Sequence, residues 1–92
     1  MKYPLADLDG EIRSLKSQQG SIPVLWFCCP TCDTGHFHMI PHHVGPPTKD
    51  LFVKHVWSRT DGGSEVEGIT LAPSYSTKCL HCFVRGGVVE VL

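Results

Sequence analysis

The chain has 92 residues, enough for one domain and too few for a second core. Hydrophobic residues make up 41% and charged residues 18%, a globular composition with few large core side chains and therefore a use for a metal staple. The net charge is −1 and the eight Lys and Arg residues are scattered, which disfavours a nucleic-acid-binding stripe.

In chain order, residues 4–19 carry Leu5, Leu8, Ile12 and Leu15 at three- and four-residue steps. This spacing predicts an N-terminal helix within residues 1–20, packed on a sheet, with Gly20 as its stop; Gly10 weakens the pattern. Residues 21–92 read as a β-rich core. Val24 to Cys28 is a continuous apolar run after Pro23 and reads as a buried strand. After Cys29-Pro30-Thr31-Cys32, the turn Asp33-Thr34-Gly35 leads into an alternating return strand over residues 36–40. Phe37 and Met39 face one way, His36 and His38 the other. Residues 41–47, with three prolines, are expected to be an irregular connector. Residues 51–57 alternate as a further strand, and Asp61-Gly62-Gly63 marks a reverse turn. Residues 66–71 predict one more strand, ended by Pro73. Last, residues 82–85 and 88–92 flank Gly86-Gly87 and form the clearest hairpin in the chain. The fold expected is mostly β (α+β), a zinc-ribbon-like domain of two knuckle-hairpins and one N-terminal helix.

Two Cys-x-x-Cys pairs, Cys29/Cys32 and Cys79/Cys82, carry the chemistry. Two short turns that each offer two thiolates complete a tetrahedron, so these four residues are the expected ligands of a structural zinc ion. Cys28 is then the odd thiol. A site of three cysteines and one histidine, His36 or His81, is the alternative, and residues 36–43 hold enough histidine for a second, weaker metal site.

Thiol redox exchange is disfavoured because the residues after Cys32 alternate like a strand, whereas a reactive pair needs a helix N-terminus there. Neither His-Glu-x-x-His nor a deaminase-type His-x-Glu is present, so the chain is not read as an enzyme. No signal peptide or membrane-spanning run is evident and the cysteines are spaced as metal ligands, which reads as a cytoplasmic protein.

From Trp26 to Leu92 the chain resembles a small family of zinc-knuckle proteins encoded mainly by bacteriophages and prophages. The matching residues are Cys29, Pro30, Cys32 and His36, then Trp57, Pro73 and Ser74, then His81, Phe83, Val84, Arg85 and Gly87. Asp33 and Gly86 replace a Gly and an Asp of that pattern, and Leu80 stands where a Cys beside the His is expected, so Cys79 with His81 is an alternative second pair. The resemblance implies zinc and a β-rich fold, without an activity.

The functional expectation is a structural-zinc interaction module, a phage accessory protein that binds a host or phage protein. The alternatives are a nucleic-acid-binding zinc ribbon that stacks bases on Trp57, and a zinc hydrolase with an open site at His36 or His38. The last strand, residues 88–92, is expected to be an exposed edge through which two copies could pair.

Overall fold

A computed structural model describes residues 1–18, 20–32, 35–44 and 56–92. It is a small β-rich domain of eight strands: β1 (Lys2–Pro4), β2 (Glu11–Ser17), β3 (Gly20–Cys28), β4 (Phe37–Val44), β5 (Trp57–Arg59), β6 (Leu71–Ser76), β7 (His81–Arg85) and β8 (Val88–Val91). They form one sheet in the order β1-β8-β7-β6-β5-β4-β3-β2. All neighbours are antiparallel except β4 and β5, which run parallel with His42 opposite Trp57.

The two edges of this sheet, β1 and β2, are consecutive in sequence. If the sheet were flat, its edges would lie roughly 34 Å apart, while the link from Pro4 to Glu11 reaches about 25 Å at full stretch. The link is not stretched, because Leu5–Leu8 forms a 3₁₀ turn. The sheet therefore curls until its edges approach, and Leu5 and Leu8 are buried inside the curl. The core there comprises Leu25, Phe27, Ile40, Ile69, Leu71, Leu80, Val84 and Val89 around these two leucines.

The expected N-terminal helix is replaced by β1, the 3₁₀ turn and β2. Leu5 and Leu8 do share a buried face, but Asp9 takes a left-handed conformation (φ 54°) and closes the turn. At Gly10 a Cβ would lie 2.8 Å from Leu5 Cβ, so a helix-forming side chain has no room. From Glu11 onward, ladder bonds to β3 outweigh the helical spacing, pairing Ile12 with Leu25 and Leu15 with Ile22.

Four further expectations are corrected. Residues 41–44, expected to be irregular, continue β4, with Pro41 opposite Val24 on β3. Residues 71–76 form β6 through Pro73, and a register irregularity between Leu71 and Tyr75 accommodates the proline. The last strand is not an edge: β8 is paired with β1 on one side and β7 on the other, Lys2 lying opposite Glu90. The premise of a dimer through residues 88–92 is removed. Nor do the two hairpins form a free-standing zinc ribbon, since β3–β4 and β6–β7 are parts of one sheet with β5 between them. The strand expected over residues 51–57 lies largely outside the described residues; Trp57–Arg59 is a strand.

The C-terminal hairpin is as expected. Arg85 pairs with Val88, and Gly86 (φ 56°) and Gly87 (φ 77°) supply the two left-handed positions of a tight turn. A buried Arg59 organises the loop after β5, donating to both carboxylate oxygens of Asp61 (2.9 and 3.0 Å) and to the carbonyl oxygen of Glu65. Asp61 in turn accepts from the backbone N–H groups of Gly63 and Thr70.

Candidate metal centre

Two turns meet at one end of the curled sheet. The first follows β3: Cys29 extends the ladder by one bond, its N–H donating to the carbonyl oxygen of His36 (2.8 Å), and Pro30-Thr31-Cys32 then departs from the sheet. The second links β6 to β7 and is closed by the Thr77 N–H to the Leu80 carbonyl (2.7 Å), with Cys79 inside it. The Thr77 hydroxyl accepts from the N–H groups of Cys79 and Leu80 and fixes that turn's shape. Thr31 ties the two turns together by donating to the Cys79 carbonyl oxygen at 2.6 Å.

Cys29, Cys32 and Cys79 are brought together, their sulfurs within 4.8 Å of one another, and Cys29 and Cys79 lie 3.9 Å apart. A second set, His36, His38 and Cys79, meets the same limit and shares Cys79 with the first. His38 Nε2 lies 3.8 Å from Cys79 Sγ. These groups are close enough to bind a metal ion. His38 is buried at 3% exposure whereas His36 is exposed, and their rings lie 4.9 Å apart.

Cys82 belongs to neither set. The second Cys-x-x-Cys is not a turn like the first, since only Cys79 sits in the turn. Cys82 is the second residue of β7, opposite Tyr75 and Val91, and its side chain is wholly buried with the core. His81, the family-based alternative, opens β7 on the exposed face and is likewise in neither set. Cys28 points away, its thiol 3.9 Å from an Asp9 carboxylate oxygen.

The thiols perturb one another. Burial opposes ionisation of Cys29, but contacts with the side chain and backbone of Thr31 and with the thiols of Cys32 and Cys79 outweigh it and hold its pKa below the ordinary value. Hydrogen bonding to Cys79 and then Cys29 pushes Cys32 up to about 12. Neighbouring groups that favour the ionised form of a thiol are the surroundings in which a cation binds thiolate. Burial, then the nearby Cys29, pushes Cys82 up to about 11. His38 is lowered by burial and then by His36, which keeps its imidazole neutral, as ligation requires.

Behind His38 stands Tyr75, whose hydroxyl hydrogen-bonds to Nδ1 at 2.9 Å and whose ring meets the imidazole edge-on at 5.3 Å. Phe27 packs against the same imidazole at 5.4 Å. The other histidines of the expected second site have partners of their own: His42 Nδ1 donates to the Ile40 carbonyl (3.0 Å), and His43 Nε2 meets the Ser58 hydroxyl (3.3 Å). Trp57 is half-buried, donates from Nε1 to the Ser74 carbonyl and packs on Tyr75, a structural use of its ring.

No pattern in the sequence marks Tyr75, whose contact with His38 spans 37 residues. His38 lies on the face opposite Phe37 and Met39, as the alternation predicts, but only His36 and His81 have the spacing expected of the histidine in a three-cysteine site. The signal was that alternation: the inward position of a half-buried strand, two residues past His36, is where a satisfied histidine would lie.

Comparison with protein-family models, curated proteins and solved structures returns no match. No helix among the described residues is long and apolar enough to cross a membrane.

Proposed function

We propose that this chain is a structural-zinc domain that serves as a protein interaction module. The observation that carries the zinc reading is the convergence of Cys29, Cys32 and Cys79 from two turns far apart in sequence. Thiolates with imidazole suit zinc better than the harder divalent cations. A site at the end of a small β-domain with a modest core is placed to staple two turns, because zinc-binding free energy is folding free energy in such folds.

The interaction role draws support from the outer face of β3 and β4. Phe37 and Met39 are exposed at 47% and 46% on neighbouring outward positions, large apolar side chains that a free surface seldom presents together. Trp26 packs beside Phe37 at 5.1 Å, and the Arg13 guanidinium lies over the Trp26 ring at 4.0 Å. Aromatic, Met and Arg side chains are those enriched at protein interfaces. The resemblance to phage zinc-knuckle proteins extends this reading to an accessory protein that binds a host or phage protein.

Native mass spectrometry with metal analysis tests the zinc reading: one zinc ion per chain is expected, and cysteines oxidised in a metal-free protein would sink it. For the interaction reading, a Phe37→Ser/Met39→Ser double variant should keep its zinc and fold but lose a partner recovered with the wild-type chain. Recovery of the same partner by both proteins rules that face out.

A further inference from the structure

We propose that the fourth ligand of the zinc centre is His38, through Nε2, and that Tyr75 is the residue that positions it, while Cys82 is a core thiol outside the coordination shell. This rests on the zinc reading above and deepens it. Around a four-coordinate zinc ion, adjacent ligand atoms lie about 3.8 Å apart for two sulfurs and about 3.5 Å apart for sulfur and imidazole nitrogen. Cys29 and Cys79 are 3.9 Å apart, and Cys79 and His38 Nε2 are 3.8 Å apart, so both observed separations are close to edges of that tetrahedron.

The choice among candidates follows from where each is anchored. His38 sits on β4, directly opposite Phe27, which is two residues before Cys29 on β3, so one hairpin presents Cys29, Cys32 and His38. The β6–β7 turn adds Cys79. His36 lies in the same donor set, but it is exposed and precedes β4, whereas His38 is buried between Phe27 and Tyr75. Cys82 is held in the β7 ladder with its side chain in the core, and it joins neither of the two donor sets.

Tyr75 supplies what a ligating imidazole needs on its far side. If Nδ1–H donates to the Tyr75 hydroxyl, Nε2 carries the lone pair and faces Cys79. Such outer partners fix the tautomer and ring orientation, and their loss typically costs ten- to a hundred-fold in metal affinity. A shell of three thiolates and one neutral imidazole also leaves one negative charge fewer at the site than four thiolates.

Cobalt(II) absorption and zinc X-ray absorption on the full chain test this. Wild type is expected to give a three-sulfur, one-nitrogen signature, unchanged in Cys82→Ser and in His36→Ala. His38→Cys, which keeps four ligands where His38→Ala could fail to fold, should add one further thiolate's charge-transfer intensity. A four-sulfur signature in wild type that is lost in Cys82→Ser overturns the assignment, as does a nitrogen signature lost in His36→Ala. A wild-type chain that takes up neither metal overturns the zinc reading itself, and the two failures are thus distinct. For Tyr75, Tyr75→Phe should weaken zinc binding about ten-fold in a chelator competition and have no such effect in the His38→Cys background. Equal losses in both backgrounds would show that Tyr75 acts only on the fold.

Discussion

The hydroxyl of Thr31 reaches across from the first cysteine turn to the carbonyl oxygen of Cys79 on the second, at 2.6 Å. It is a cross-link between the turns that owes nothing to a metal. Thr31→Val preserves shape and removes it, leaving the carbonyl without this donor. The expected cost is about 1 kcal/mol, read in denaturant melts, together with weaker zinc binding by chelator competition. Unchanged affinity would show that the metal alone fixes the spacing of the turns.

Metal removal should act on the whole domain. The turns bear on β3, β6 and β7, so a strong chelator is expected to lower the midpoint of thermal unfolding steeply, with recovery on adding zinc. Circular dichroism with and without chelator checks this. A melting curve indifferent to chelator would mean that the sheet holds the turns unaided.

The Arg59–Asp61 pair should be the most damaging polar site to break away from the cysteines. The Arg59 side chain is 2% exposed, and Asp61→Asn leaves a buried guanidinium with its counter-charge removed. A loss of about 3 kcal/mol is expected. Arg59, together with the backbone N–H groups that Asp61 accepts, holds the Asp61 carboxyl well below the usual carboxylate range. A group depressed in the folded state stabilises above its unfolded value, near pH 3.9, and the contribution fades as the pH falls below that. Acid titration of wild type and Asp61→Asn should show the difference between them narrowing below about pH 4.

His42 should make stability fall earlier on the acid side. Burial, ahead of all other influences, lowers its pKa, so the unfolded chain takes up the proton first. Stability is then full above the unfolded value near pH 6.5 and declines below it, at no more than about 1.4 kcal/mol per pH unit for one proton. Denaturant melts from pH 8 to pH 5 should show the decline, and His42→Asn should flatten part of it. A slope unaltered in that variant would assign the proton elsewhere.

The Gly86-Gly87 turn offers a paired test of backbone and space. Both glycines are left-handed, but a Cβ at Gly86 meets nothing within 4 Å, while one at Gly87 would lie 2.9 Å from the Gly68 backbone nitrogen. Gly86→Ala should cost about 1 kcal/mol from conformation alone, and Gly87→Ala clearly more, because the Gly68 backbone must also move. Equal melting points for the two variants would contradict this.

Much of this architecture was legible in the residues. The Cys29-Pro30-Thr31-Cys32 turn, the alternation of residues 36–40 and the Gly86-Gly87 hairpin are local patterns whose geometry depends on neighbours in sequence. What was not legible depended on distant pairing. Leu5, Leu8, Ile12 and Leu15 fit a helix until β3 is there to pair with Glu11–Ser17. Cys82 repeats the spacing of the first pair, but it lies on β7 paired with Val91 rather than in the turn that holds Cys79. His38 and Tyr75 are 37 residues apart, and no local pattern announces their contact.

The pairing of β1 with β8 has a consequence during synthesis. Lys2 is synthesised well before Glu90, so the sheet cannot gain this pairing until β8 has emerged. Until then Leu5 and Leu8 have no seat beneath a closed sheet, and the nascent chain carries them as exposed apolar groups. Chains arrested before Val88 should therefore be digested readily by protease, and those extending through β8 should resist.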